Sequence, residues 1–156
     1  MKSSTHLNSL IGSRAWDKEL VMWIGTEKAL QQVIGSTKTV TLDLLDLFEI
    51  DNLPADDEST TEQIRSRLQD RLRAIERGPG NRIVLLVKSI GLLARYNVGL
   101  KPFYDWFIGD FALAVLLLEH GAEEIEWPEE VRCDSNRLLS FFSEPGMVKE
   151  IFSTNE

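Results

Sequence analysis

The chain has 156 residues, of which 43% are hydrophobic and 27% charged, a composition typical of one folded globular domain spanning residues 1–156. A single cysteine and two histidines exclude an internal disulfide framework and leave few ligands for a transition-metal site. Acidic residues outnumber basic ones by 25 to 17, and this net charge of −8 disfavours DNA as a partner.

The first half of the chain is predicted to alternate helices with strands. An amphipathic helix is expected within residues 1–15, followed by a fully apolar strand at 20–24 that ends at Gly25. A two-turn helix at 27–34 should end at Gly35, and a β-branched strand follows at 39–42. Asp43 is placed to cap a short helix, and residues 51–61 read as an acidic loop.

The second half begins with the clearest amphipathic helix, at 62–77, whose apolar stripe is formed by Ile64, Leu68, Leu72 and Ile75. Apolar strands are predicted at 83–87 and 111–118, with helical segments at 90–95 and 102–107 between them. The last predicted elements are a short strand at 131–133 and a helix that runs to residue 142.

Three strands that are apolar throughout, alternating with helices, predict a three-layer α/β/α domain. The sheet should be mostly parallel, with four or five strands and right-handed crossovers. In such a sheet, functional residues lie in loops after the carboxyl ends of the strands. The longest apolar run, 111–118, is too short to span a bilayer and residues 1–8 are polar, so we expect a cytoplasmic protein without a membrane segment.

The loop after the first apolar strand lacks a standard phosphate-binding motif. A P-loop requires a second glycine, a lysine directly after it and then a hydroxyl residue, whereas Gly25 is followed only by a displaced Lys28. The strand at 83–87 ends in Lys88, where such an enzyme would carry a magnesium-binding acid. Gly25, Lys28 and Lys88 could at most form a nonstandard phosphate site, and we expect no bound cofactor.

Few side chains suggest metal binding or catalysis. Asp43 and Asp46 could share a hard cation, although acids in a first helical turn are also favoured by the helix dipole alone, and we expect no metal site. His6 lies near the terminus and Cys133 reads as a small buried residue. His120 is the one imidazole expected at the functional edge of the sheet.

Charged and aromatic side chains indicate protein contacts instead. Arginines are concentrated on the helix at 62–77, and acids in the segments 43–58 and 119–130. This separation of basic and acidic segments suits docking to a charged protein partner or to a second copy. A solvated helix face with internal salt bridges has the same charge pattern. The candidate contact residues, chosen as exposed aromatic or cationic groups, are Tyr104, Trp106, Trp127, Arg65, Arg67, Arg71 and Arg73.

One stretch of the sequence resembles a known family. Residues 81–93, the Leu100-Lys101-Pro102 loop and the apolar run 111–118 resemble the second half of small P-loop-like accessory proteins from BREX-type phage-defence loci. The phrase at residues 40–45 is similar to a strand-to-helix segment of such proteins. The resemblance implies a P-loop-NTPase-like domain, here without a Walker A motif, that serves as a non-hydrolysing assembly or adaptor subunit. An unusual nucleotide-binding protein or NTPase is the alternative.

Overall fold

The computed structural model describes residues 2–12, 19–47, 58–75, 83–96, 98–106, 112–118 and 150–153. Six strands lie in these ranges: β1 (Lys2–Ser3), β2 (Glu19–Ile24), β3 (Thr39–Asp43), β4 (Ile83–Lys88), β5 (Ala112–Leu118) and β6 (Glu150–Ser153). The helices are α1 (Ser4–Gly12), α2 (Glu27–Ile34), α3 (Glu58–Arg73), α4 (Gly91–Arg95) and α5 (Lys101–Trp106), together with a 3₁₀ helix at Leu44–Leu47.

The strands form one sheet in the order β1-β6-β2-β5-β4-β3, and every neighbouring pair is parallel. Strands β2, β5 and β4 occupy the middle of this sheet, which explains why their sequences are apolar on both faces. Trp23 on β2, for example, pairs with Leu117 on one side and Phe152 on the other. The predicted parallel α/β fold is therefore confirmed.

Helices cover both faces of the sheet and produce three layers. On one face, α3 packs Ile64, Leu68 and Leu72 against strand residues such as Leu85 and Leu116. On the other face, buried residues of α1 and α2 pack against the alternate positions of the strands. The helix residues are Leu7, Ile11, Leu30 and Ile34, and the strand residues are Val21, Trp23, Val84, Leu86, Leu113, Val115, Leu117 and Phe152. The alternation of strand side chains thus divides the core into two clusters.

The chain reverses its direction across the sheet at β3. From β2 it passes through α2 to β3 at the far edge. It then returns through α3 to β4, and through α4 and α5 to β5. The outward crossover lies on the face that α2 covers, and the return crossovers lie on the opposite face. Right-handed connections require this change of face when the direction is reversed.

Two short strands at one end make the sheet larger than predicted. β1 has two residues and β6 has four, and they pair with each other. Segments this short carry no clear apolar alternation, so their sequence alone does not mark them as strands. The predicted strand at 131–133 and the helix to residue 142 lie outside the described residues.

Several helix boundaries also differ from prediction, and α3 ends at Arg73 rather than at residue 77. Asp43 is the last residue of β3 and directly precedes the predicted short helix, which is a 3₁₀ helix at Leu44–Leu47. Residues 58–61, predicted as part of the loop at 51–61, belong to α3, which begins at Glu58, and residues 51–57 lie outside the described residues. Thr60 is buried and the Thr61 hydroxyl donates to the Tyr96 carbonyl at 2.6 Å, so these polar residues are stabilised within the helix. The predicted N-terminal helix begins at Ser4, after β1.

Candidate functional site

The carboxyl ends of β2 and β5 lie side by side at a topological switch point. After β2 the chain moves to β3 at one edge, whereas the next described strand after β5 is β6, on the other side of β2. Open parallel sheets bind ligands in the crevice at such a point. The candidate site is therefore built here, from the turn after β2 and from the neighbouring ends of β3 and β4.

The turn from β2 to α2 consists of Gly25 and Thr26 alone. Gly25 has a φ of 153°. Its amide donates to the Leu118 carbonyl at 3.2 Å, and this bond holds the turn at the end of β5. The Thr26 hydroxyl accepts from the Ala29 amide at 3.1 Å, and the Thr26 carbonyl accepts from the indole nitrogen of Trp23 at 3.2 Å. With only two residues, this turn is shorter than a P-loop, in which four residues separate the two glycines.

An ion pair joins α2 to the end of β4. The Lys88 ammonium lies 3.3 Å from the Glu27 carboxylate, and the two side chains are 31% and 29% exposed. Lys88 thus reaches past the end of β5 to the first turn of α2. Lys28, the other lysine of the predicted nonstandard phosphate site, is exposed and has no ion pair with a residue that the structure describes. The two lysines therefore have different roles in the folded chain.

A hydrogen bond joins the ends of β3 and β4. The Ser89 hydroxyl donates to the Asp43 carboxylate at 2.7 Å, and Asp43 is the register partner of Lys88. Ser89 has a φ of 61°, a left-handed conformation that is uncommon outside glycine. The described residues contain no group of three or more metal-ligating side chains around Asp43 or elsewhere.

A groove runs between the edge strand β3 and the second half of α3. Two adjoining parts of it, of about 390 and 380 Å³, share Asp46, Arg71 and Ala74. The remaining lining residues are Lys38, Val40, Thr41, Leu42, Asp43, Leu47, Arg67, Asp70 and Ile75. Its walls therefore carry both signs of charge above an apolar floor, which suits a peptide-like occupant better than a highly charged small molecule.

The arginines predicted to contact a partner fall into two groups. Arg65 pairs with Glu62 and donates to the Val98 carbonyl at 3.1 Å, and Arg67 donates to the Leu47 carbonyl at 3.0 Å. These two side chains hold α3 to neighbouring segments. Arg71 lines the groove, and Arg73 lies 3.6 Å from Asp70 in an exposed pair.

The other predicted candidates are placed only in part. Tyr104 and Trp106 lie on α5, where Phe103 is fully buried as expected. Trp127, His120 and Cys133 lie outside the described residues. His6 is exposed, and its Nδ1 lies 2.9 Å from the Ser3 hydroxyl.

Two residues of the site, Glu27 and Ser89, are not predicted from the sequence to act there. Both follow predicted strands, but neither is among the candidate site residues predicted from the sequence. The available signal was their position, because each directly follows the end of a parallel strand or its short turn, where functional side chains concentrate.

No protein-family model matches the chain, and a search of curated proteins finds no match. None of the helices in the described ranges combines the length and apolar character needed to cross a bilayer. The geometry of the chain itself is therefore the basis for assigning a function.

Proposed function

We propose that this chain is a non-enzymatic interaction subunit built on a nucleotide-binding-like α/β scaffold. The observation that carries the proposal is the ion pair between Glu27 and Lys88. A P-loop enzyme needs a cation at the start of the helix after β2 and an acid at the end of β4. Here the signs are reversed, so a phosphate would meet the Glu27 carboxylate and Mg²⁺ would meet the Lys88 ammonium.

The strand order supports the comparison with P-loop domains. The five longer strands have the order β6-β2-β5-β4-β3, all parallel, and the chain reverses its direction at β3, which gives a doubly wound sheet of the kind that nucleotide-binding domains use. Glu27 and Lys88 lie at the carboxyl ends of β2 and β4, the side of the sheet where such domains bind their ligands. In this arrangement Glu27 and Lys88 neutralise each other, so neither charge requires a ligand.

The proposed contacts are the groove, the arginines of α3 and three aromatic residues. Arg71 and Arg73 are exposed on α3, whereas Arg65 and Arg67 already bind backbone carbonyls. Tyr104, Trp106 and Trp127 are the proposed aromatic contacts, since large aromatic residues with a polar group are favoured at interfaces. The resemblance to BREX-type accessory proteins supports a partner within a phage-defence complex.

Calorimetric titration tests the non-enzymatic assignment. ATP and GTP, each with Mg²⁺, are expected to give no binding heat with the purified chain. A second experiment captures partners from the native host with a tagged chain, using the double variant Trp106→Ala with Arg71→Ala. We expect this variant to lose partners that a Gln32→Ala control retains, because Gln32 is exposed on α2, on the opposite face. Unchanged capture by the double variant would contradict the proposed surface.

A nucleotide-binding protein or NTPase is the second candidate, and the position of Gly25 at the β2–β5 switch point favours it. The phosphate site would involve Gly25, Lys28 and Lys88, with Asp43 near Mg²⁺. The same titration separates the two candidates. Micromolar binding that is lost in Lys28→Ala and Lys88→Ala would establish the second and overturn the first.

A further inference from the structure

The outer edge of β3 is the strongest unassigned feature of the molecule. Within the part of the chain that the structure describes, β3 is the last strand of the sheet, and no strand lies on its outer side. Its sequence, Thr39-Val40-Thr41-Leu42-Asp43, is rich in β-branched residues and contains no proline. A strand edge of this kind is a template for pairing with another chain.

The hydrogen bonds between β3 and β4 show which backbone groups of β3 face outward. The Lys38 carbonyl accepts from the Val84 amide of β4 at 2.9 Å. In a parallel ladder every second residue repeats this direction, so Val40 and Leu42 bond to β4. Thr39 and Thr41, whose side chains are exposed, therefore direct their backbone groups to the outer side.

Charges at the two ends of the edge strand are complementary. Lys38 precedes β3 and Asp46 follows it, and both side chains are exposed. Neither has an ion pair with a residue in the described ranges. The strand between them spans about 17 Å, so the two groups lie beyond opposite ends of β3.

We propose that β3 pairs antiparallel with β3 of a second copy of this chain, about a two-fold axis at Thr41. Thr41 is the middle residue of β3, so this centre pairs its outward N–H and C=O with the same groups of the second copy. Val40 of each chain then lies opposite Leu42 of the other, on the face that α3 covers. The antiparallel direction also brings Lys38 of each copy to the Asp46 end of the other, which supplies two symmetric ion pairs.

This arrangement rests on the proposed interaction function and names one partner for it. The tests are independent, because nucleotide titration addresses the scaffold and a mass measurement addresses self-association. A chain that binds no nucleotide and is monomeric would leave the interaction function in place and overturn the two-fold pairing.

Disulfide trapping tests the pairing directly, in a Cys133→Ser background that removes the native thiol. At the two-fold axis, the Cα atoms of the two Thr41 residues would lie about 5.5 Å apart, within disulfide range. The two Thr39 residues would lie about 14 Å apart. We expect Thr41→Cys to form a covalent dimer under mild oxidation, whereas the matched Thr39→Cys control does not. Equal trapping of both variants, or of neither, would overturn the proposed geometry.

Light scattering after size-exclusion chromatography provides the second measurement. The native chain should have the mass of two copies, and Lys38→Glu should weaken the dimer by about tenfold through charge repulsion. Adding Asp46→Lys to Lys38→Glu should restore it. A native chain that remains monomeric at about 100 μM, or a double variant no tighter than the single one, would contradict the proposal.

Discussion

The Ser89 hydroxyl donates a 2.7 Å hydrogen bond to the Asp43 carboxylate and joins the ends of β4 and β3. Ser89 holds a left-handed φ of 61° while making this contact. Two opposing effects therefore meet at one residue, namely a stabilising hydrogen bond and an unfavourable backbone conformation.

Two substitutions at Ser89 separate these effects. Ser89→Ala should lower the free energy of unfolding by about 1–2 kcal/mol, because the hydrogen bond is lost and the backbone strain remains. Ser89→Gly also loses the bond but relieves the strain, so it should be at least as stable as Ser89→Ala. Urea denaturation measures both values. A glycine variant clearly less stable than the alanine variant would show that the backbone at this position is not strained.

The ion pair between Glu27 and Lys88 should contribute about 0.2–1 kcal/mol to stability, since both side chains are partly exposed. A double-mutant cycle with Glu27→Gln and Lys88→Met measures this coupling by urea denaturation. We expect it to fall when salt is raised, because ions screen the pair. Lys28→Met, which changes an exposed lysine one residue further along α2, serves as the matched control with little effect. A coupling of zero at low salt would contradict the assigned pair.

The arginines of α3 should divide into structural and surface residues. Arg65→Ala should lower the free energy of unfolding by about 1–2 kcal/mol, because it removes a charged donor from the Val98 carbonyl. Arg73→Ala should change stability by less than about 0.5 kcal/mol, since its pair with Asp70 is exposed. Thermal and urea unfolding of the two variants provide the comparison. Equal losses of unfolding free energy in the two variants would contradict a structural role for Arg65 that Arg73 lacks.

Glycine substitutions at the ends of α1 and α2 should have opposite effects. Gly35 ends α2 with a φ of 66°, so Gly35→Ala should destabilise the protein by about 1 kcal/mol, although no atom lies within 4 Å of the added methyl group. Gly12→Ala, in the last position of α1, meets equally open space without a positive φ and should be neutral or stabilising. Urea denaturation of both variants tests the difference. A stabilising Gly35→Ala would show that α2 ends in another conformation.

Much of the fold could be predicted from local patterns. The apolar runs in β2, β4 and β5 and the apolar stripe of α3 identified the buried strands and the main helix, because side-chain period alone shows which positions leave water. Gly35 likewise marked the end of α2. The absence of a phosphate-binding motif after β2 was also visible in the residues themselves.

The contacts that define the candidate site required the tertiary structure. Asp43 and Ser89 are 46 residues apart, and Glu27 meets Lys88 only because β2, β5 and β4 are neighbours in that order. The outward edge of β3 likewise depends on which strand is last in the sheet. Periodicity reports whether a residue is buried but carries no information about which distant element lies beside it, so strand order decides these relationships.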